Sequence, residues 1–184
     1  MPLLPTLVVV SGPPGAGKTT LAHRIARLVG CPAVRRDEIK EGMVHAAPGF
    51  AAAQGDELTL RAFPAFFGVL EVLLRAGATT VAEAAFQDRA WRAGLEPLRE
   101  LARVRVVHCS VDADVALRRK IQRAHQDPLR RAHADPDPTI LGDAAHEVIH
   151  TSFDRLSLDV PWIEVDTTDG YQPSLEDIAA FIDS

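Results

Sequence analysis

Short apolar runs alternate with longer amphipathic segments along most of the chain. Residues 6–10 form a β-branched run that ends at a turn of glycine and proline, which is typical of a parallel strand buried on both faces. Residues 18–29 then repeat apolar side chains at helical spacing, and Gly30 follows them as a common helix stop. The chain therefore opens with a strand, a glycine-rich loop and a helix.

The same alternation predicts four further strands and a series of helices. The predicted strands are residues 33–35, 79–82, 104–109 and 162–165, and the predicted helices are residues 38–44, 56–76, 88–102, 112–125, a segment that ends near residue 156, and 174–182. Asp37 is expected to cap the second helix, and Pro64 to kink the third or to mark its true start. This alternation predicts an α/β fold of three layers around a mainly parallel, five-stranded sheet.

Length and composition fit one soluble domain. The chain has 184 residues, of which 47% are apolar and 24% charged, so residues 1–184 are expected to form a single domain with one core. No apolar run is long enough to cross a bilayer, and the first ten residues lack the pattern of a signal peptide. We therefore expect a cytoplasmic protein with no membrane partner.

Charge is distributed unevenly along the chain. The formal net charge is −5, which argues against a partner nucleic acid held on a broad basic surface. Residues 118–133 nevertheless carry six basic side chains against one acid, at Arg118, Arg119, Lys120, Arg123, Arg130 and Arg131. This segment, together with the polar, proline-punctuated residues 126–138, predicts a mobile helical lid at about residues 118–138 that faces a local anionic ligand.

The loop after the first strand carries the most specific motif. Residues 12–19 match G-x-x-x-x-G-K-[ST] between a strand and a helix, a match that chance would give in roughly one such sequence in a thousand. This P-loop predicts phosphate binding by Gly12, Pro13, Gly15, Ala16, Gly17, Lys18, Thr19 and Thr20. Lys18 is expected to neutralise the β- and γ-phosphates of ATP, and the Thr19 hydroxyl to bind Mg²⁺. The motif therefore specifies the predicted three-layer α/β fold as a P-loop NTPase fold.

A second motif competes with the first. His146 and His150 belong to an H-E-x-x-H sequence, which is a zinc peptidase signature when it lies on a helix. Chance would give this shorter pattern in roughly one sequence in seventy, and a zinc peptidase needs a third ligand held by a dedicated fold. Two histidines on the polar face of a helix beside the lid are the preferred interpretation, and zinc is expected to be irrelevant.

Other P-loop classes lack their further motifs here. The N/T-K-x-D pattern with which GTPases read guanine is absent, and the predicted third strand ends in one acid, Glu83, where a motor ATPase carries several. In parallel sheets ligands lie at the carboxyl ends of strands, so Asp37 and Glu83 are expected to face the same crevice as the P-loop. A lysine, a metal, mobile arginines and a carboxylate near the acceptor are sufficient for phosphoryl transfer.

The order of these motifs resembles the small P-loop kinases related to chloramphenicol phosphotransferase and to the kinase domain of polynucleotide kinase. The similar segments are residues 12–20, 36–40 and 81–86, then His108 and Cys109 with Arg119, Arg123 and Arg131 beyond them. The resemblance implies that Asp37 is the base for the acceptor hydroxyl and that Arg119 and Arg123 clamp the triphosphate. Glu83 stands where many relatives carry aspartate, and a role in binding Mg²⁺ is implied for it.

Each of these roles has a structural alternative. Asp37 can serve only as a helix cap, Arg119 only as part of a solvated helix face, and Glu83 only as a group that orients metal ligands without touching the metal.

The acceptor is predicted least sharply. Six aromatic residues follow the second and third strands, and some are expected to line the acceptor pocket while others pack in the core: Phe50, Phe63, Phe66, Phe67, Phe86 and Trp91. A partly apolar pocket on an acidic protein favours a small-molecule alcohol as acceptor. The alternatives are a nucleotide or polynucleotide 5′-hydroxyl kinase and a nucleotide-binding regulatory module. The sequence does not indicate the oligomeric state.

Overall fold

The computed structural model describes residues 4–135, 153 and 155–184. Five strands lie in this part of the chain: β1 (Thr6–Ser11), β2 (Ala33–Arg35), β3 (Thr80–Glu83), β4 (Arg103–Ser110) and β5 (Trp162–Asp166). The α-helices are α1 (Lys18–Val29), α2 (Arg36–His45), α3 (Glu57–Arg75), α4 (Asp88–Leu95), α5 (Ala113–Gln126) and α6 (Leu175–Asp183). Two 3₁₀ helices span Glu96–Glu100 and Pro128–Ala132.

The strands form one sheet in the order β2-β3-β1-β4-β5, and every pair of neighbours is parallel. β1 is therefore central, and its last residues lie between the ends of β3 and β4. Val10 is paired with Glu83, and Glu83 is also paired with Arg35 on the far side of β3. This confirms the predicted α/β fold with a parallel sheet of five strands.

The side chains of β1 alternate between two hydrophobic cores, as the period of a strand requires. Leu7 and Val9 pack against Phe66 and other residues on the side of α3 and α4. Val8 and Val10 pack on the opposite side, in a cluster that includes residues of α1 and α6. All six residues of β1 are buried, so this strand holds the three layers together.

Proline affects two of the predicted helices differently. α3 begins at Glu57, where the Asp56 side chain accepts a hydrogen bond from the Thr59 amide at 2.7 Å, so Pro64 lies inside the helix and does not mark its start. The predicted helix 88–102 ends early, because Pro97 has no amide proton to donate to it, and the chain continues as the 3₁₀ helix Glu96–Glu100.

Asp37 is not a helix cap. α2 begins at Arg36, which places Asp37 in its first turn, and the capping position is occupied by Arg35 without a side-chain cap bond. The expectation that Asp37 caps a helix from Glu38 was therefore wrong. The Asp37 carboxylate accepts hydrogen bonds from the guanidinium groups of Arg36 and Arg130 instead of from the backbone amides of the helix.

Ser174, in contrast, caps α6 as predicted, in a reciprocal capping box with Asp177. Cys109 is fully buried on β4, and burial raises the pKa of its thiol to about 12. Within the described ranges, no helix has both the length and the apolar character that crossing a membrane requires.

We predict a sharp contrast between two apolar positions of α1. Ile25 is 1% exposed in the core, and Leu28 is 55% exposed on the same helix. Ile25→Ala should lower the free energy of unfolding by about 2–5 kcal/mol, because it removes buried methyl groups and leaves a cavity. Leu28→Ala should change it by no more than about 0.5 kcal/mol. Chemical denaturation compares the two variants, and equal losses would contradict this assignment of the core.

Candidate functional site

The glycine loop between β1 and α1 has a backbone conformation in which a side chain at Gly12 or Gly15 would be strained and would clash with neighbouring backbone. Gly12 and Gly15 have φ of 134° and 88°. A Cβ at Gly12 would lie 2.3 Å from the Cys109 carbonyl oxygen, and one at Gly15 would lie 2.6 Å from that of Ala116. The two glycines therefore fit the loop against β4 and α5, and they leave its amides free to form a phosphate cradle at the start of α1.

Lys18 is buried at the first position of α1. Its side chain is 8% exposed, and Nζ donates a hydrogen bond to the Pro13 carbonyl at 2.8 Å. Burial lowers the pKa of Lys18, and the negative charge of Glu83 is the strongest influence in the opposite direction. The ammonium group thus lies over the glycine loop, where a bound phosphate would add the counter-charge that burial requires.

Glu83 joins the ends of β2 and β3 to the glycine loop. Its Oε2 accepts hydrogen bonds from the Thr19 hydroxyl at 3.2 Å and from Arg35 Nε at 3.0 Å. Arg35 also lies 3.3 Å from the Thr19 hydroxyl and donates to Glu38 at 2.5 Å. The structure therefore brings together the two residues predicted to bind metal and adds Arg35, which the sequence analysis did not identify.

Two arginines hold the Asp37 carboxylate. Arg36 donates to Oδ1 at 3.2 Å, and Arg130 donates to Oδ2 at 3.3 Å. Burial alone would raise the pKa of Asp37, but the charges of His133, Arg130 and Arg36 outweigh it, so the pKa lies below its ordinary value of 3.8. Asp37 is therefore ionised at neutral pH and can accept hydrogen bonds from donors in the cleft.

The 3₁₀ helix Pro128–Ala132, within the predicted lid, lies against α2. Arg130 bridges Asp37 and Asp135, and the His133 ring lies 3.1 Å from the Glu41 carboxylate. Both side chains of that last pair are largely buried. The described part of the lid thus contacts the predicted acceptor side of the cleft, while residues 136–138 lie outside the described ranges.

The two predicted lid arginines have different surroundings. Arg119 donates to the carbonyl oxygens of Thr167 at 2.7 Å and Thr168 at 3.2 Å, on the loop after β5. No residue in the described ranges accepts a hydrogen bond from the Arg123 guanidinium. Burial lowers the pKa of Arg123, with the neighbouring charge of Arg130 acting in the same direction. Among the described residues, Arg123 is thus the lid arginine whose guanidinium has no acceptor, while Arg119 connects α5 to the loop after β5.

Three functional candidates were missed by sequence reasoning. Thr167 is 3% exposed, and its hydroxyl lies 3.0 Å from the Ala16 carbonyl and 3.1 Å from that of Ser110. Its position directly after β5 could have identified Thr167 from the sequence, because the carboxyl ends of all five parallel strands meet at this edge of the sheet. Arg35 ends β2 in the same way, and Arg130 belongs to the basic segment already noted.

A cleft of about 1470 Å³ joins these groups. Its walls combine the glycine loop with charged side chains of α2, α5 and the 3₁₀ helix Pro128–Ala132. Lys18, Thr19, Asp37, Glu83 and Arg123 all line it. The residues chosen from separate parts of the sequence therefore face one space.

The aromatic residues occupy a different place. Phe66, Phe86 and Trp91 are buried in the core beneath α3 and α4, and Phe63 and Phe67 pack against them with ring centroids 4.7–6.1 Å apart. None of the six predicted aromatic residues is among the described residues that line the cleft. Their spacing on α3 reflects core packing, and the expectation of an aromatic wall is not met in this cleft.

The H-E-x-x-H motif and the helix predicted to end near residue 156 fall largely outside the described ranges, since His146 and His150 are not among the described residues. In the residues that are described, no group of three or more His, Cys, Asp and Glu side chains is arranged to hold a metal. A Mg²⁺ ion bound mainly by phosphate oxygens needs few protein ligands, and Thr19 and Glu83 are close enough to supply them.

Comparison with known proteins agrees with the prediction of a small P-loop kinase. Residues 7–156 match the family described as "AAA domain". A shikimate kinase of Corynebacterium efficiens is 31% identical over 132 residues, which cover 72% of each chain.

Two solved structures are similar over their whole length. A proposed kinase of Chloroflexus aurantiacus is 22% identical, with a TM-score of 0.84 over 98% of this chain and 97% of its own. The APS kinase of Mycobacterium tuberculosis, solved with AMPPNP and APS, is 14% identical, with a TM-score of 0.66 over all of both chains. These two likenesses support the fold.

The pairing of Arg130 with Asp37 leads to a prediction about the pKa of that carboxyl. Arg130→Gln removes a positive charge 3.3 Å from the carboxylate and should raise the pKa of Asp37. Arg131→Gln, which changes the exposed neighbouring arginine, should leave it unchanged. Carbon-detected NMR titration of the aspartate carboxyl groups measures both values. An Asp37 pKa that is the same in the wild type and in Arg130→Gln would show that the ion pair does not form in solution.

Proposed function

This chain belongs to the AAA-domain family of small P-loop kinases, and we propose that it transfers the γ-phosphate of ATP to a hydroxyl group of a small molecule. One observation carries the proposal. A buried lysine in a glycine cradle, a threonine hydroxyl bonded to a buried glutamate, and an ionised aspartate held by arginines all line one cleft. Phosphoryl transfer requires groups of these kinds: the lysine, the glycine cradle, the threonine and the glutamate for the phosphate donor and its metal, and the aspartate for the acceptor.

The nucleotide side of the cleft is the glycine loop. Its amides and Lys18 would hold the β- and γ-phosphates, with the N-terminus of α1 adding a favourable dipole. Thr19 and Glu83 would hold Mg²⁺, which neutralises charge on the phosphate oxygens when bound. Arg35 contacts both of these residues, so it would have to release the Thr19 hydroxyl for the metal and could then turn to the phosphates.

The acceptor side is formed by α2. Asp37 is ionised, so its carboxylate can orient the acceptor hydroxyl and receive its proton as the new bond to phosphorus forms. Arg130 occupies one carboxylate oxygen, and a bound acceptor would compete with it for that oxygen. Arg123, whose donors have no acceptor among the described residues, is placed to stabilise negative charge on the transferred phosphoryl group.

A polynucleotide 5′-hydroxyl kinase remains the second candidate. Arg35, Arg36 and Arg130 line the cleft and could contact a phosphate backbone. Three carboxylates of α2, however, lie along the same wall, at Asp37, Glu38 and Glu41. Repulsion between these carboxylates and a polyanion favours the small-molecule acceptor.

Acceptor-dependent consumption of ATP tests the proposal. Purified protein is offered ATP, Mg²⁺ and a library of small alcohols that includes sugars and hydroxy acids, with a 5′-hydroxyl oligonucleotide in parallel. The proposal expects turnover with a small alcohol and weak oligonucleotide binding at about 150 mM salt. Turnover with the oligonucleotide alone would favour the second candidate, and slow hydrolysis that no acceptor stimulates would favour a nucleotide-binding regulatory module.

Asp37→Asn should abolish most transfer and spare nucleotide binding. The amide retains the size of the carboxylate but cannot take the proton, so kcat should fall by about 10² to 10⁴. ATP affinity should change only a few-fold, because Asp37 is not expected to contact the nucleotide. Steady-state kinetics with the best acceptor, together with calorimetric ATP binding, measure the two effects separately.

Two control variants complete that comparison. Glu38→Gln changes the neighbouring carboxylate, which pairs with Arg35, and should retain most turnover. Lys18→Ala should damage ATP binding as well as transfer, because it removes the charge beside the cradle. Near wild-type turnover in Asp37→Asn would rule out its role as the base.

The surroundings of the two lid arginines predict a further contrast on α5. Arg123→Ala should reduce kcat by about 10²-fold or more, the effect expected when a positioned charge is lost from the transition state. Arg119→Ala should reduce it by a similar amount, with weaker ATP binding in addition, because it also frees the loop after β5. Arg118→Ala, at an exposed position of the same helix, should have little effect. Unchanged kcat in both the Arg123 and Arg119 variants would remove α5 from the mechanism.

A further inference from the structure

The outward face of α3 carries charges in a symmetric arrangement. Glu57 pairs with Arg61 near its start at 3.7 Å, and Arg75 pairs with Glu71 near its end at 2.7 Å. Glu57 and Arg75 lie equally far on either side of the middle of the helix, and so do Arg61 and Glu71. If a second α3 lay antiparallel across this face, each acid would therefore be opposite a base.

The residues between these charges are apolar or small, although they face solvent. Leu60 and Val72 are 66% and 69% exposed, and Pro64 and Gly68 lie exposed between them. Leu60 and Val72 also lie equally far on either side of the middle of the helix, and so do Pro64 and Gly68. Antiparallel pairing would therefore place Leu60 opposite Val72 and Pro64 opposite Gly68. At 3.6 residues per turn, all eight positions lie on one face of α3, opposite the side that packs in the core.

Gly68 leaves open space in the middle of this face. A glycine within a helix costs stability relative to alanine, and a Cβ at Gly68 would meet no atom within 4 Å in the monomer. Nothing among the described residues of this chain therefore requires glycine at that position. The close approach of a second helix would require it, because a missing side chain lets two backbones come together.

We propose that this face of α3 is an interface at which two copies of the chain pair around a two-fold axis through the middle of the helix. A two-fold interface joins the same patch on both copies, so residue i contacts residue j and residue j contacts residue i. The sequence of α3 satisfies this rule at four pairs of positions. None of the described residues that line the cleft belongs to α3, so both clefts stay open in the dimer.

The dimer would also support the acceptor side of the cleft. Lys40 of α2 forms a buried ion pair at 2.8 Å with Asp56, the residue that caps α3. α2 carries Asp37, so a partner that holds α3 also steadies the helix beneath the candidate base. The proposal itself rests on α3 alone and does not depend on which reaction the cleft performs.

Sedimentation velocity of the full chain tests the pairing over about 1–200 µM protein. The wild type is expected to form a dimer in this range, and the dimer should weaken as salt rises. Val72→Asp should raise the dissociation constant by at least about 10-fold, because it places a charge in the apolar centre of the interface. Leu28→Asp, at an exposed position on α1, should leave it unchanged.

Charge exchange makes the test specific for the antiparallel register. Arg61→Glu should weaken the dimer, and Arg61→Glu combined with Glu71→Arg should restore it. Ten residues of helix separate these positions by about 15 Å, so one chain alone cannot provide the rescue. Gly68→Ala should raise the thermal stability of the monomer and still weaken the dimer. A monomer throughout the range, a dimer that Val72→Asp leaves intact, or a double variant that is not restored would each overturn the proposal.

Discussion

A single buried carboxylate, Glu83, organises the charged groups of the candidate site. It lies at the end of β3, where it accepts hydrogen bonds from Thr19 and Arg35 and opposes the effect of burial on the pKa of Lys18. Burying a charge is costly unless it is compensated, and here Arg35 pairs directly with the carboxylate at 3.0 Å, while the negative charge of Glu83 partly offsets the effect of burial on Lys18. The arrangement keeps two cations and a hydroxyl beside the glycine loop before any phosphate arrives.

The position of this carboxylate follows from the sheet. β3 lies between β1 and β2, so its last residue is beside the end of β1 and the end of β2 at once. The glycine loop leaves β1 at that point, and α2 with Asp37 leaves β2. The central strand is buried on both faces, so the strand ends cannot shift independently. The geometry of the cleft is therefore a property of the packed core as much as of the residues that line it.

The sequence predicted the parts of the site that depend on local pattern. Lys18 and Thr19 belong to a motif whose strand and helix are visible as apolar periodicity, and Glu83 was found because strand ends converge. Arg130 was not assigned, because its contact with Asp37 joins positions 93 residues apart and depends on how the chain folds back after α5. The aromatic residues were ambiguous for a related reason, since helical spacing describes a core face and a pocket wall equally well.

Binding of ATP with and without Mg²⁺ tests the central role of Glu83 most directly. Calorimetry on the wild type should show that Mg²⁺ strengthens ATP binding, and Glu83→Gln should lose most of that strengthening. Binding of ATP without the metal should be affected much less, because the glycine loop and Lys18 remain in place. If Mg²⁺ strengthens ATP binding equally in Glu83→Gln and in the wild type, the carboxylate does not organise the metal side of the site and the account is wrong.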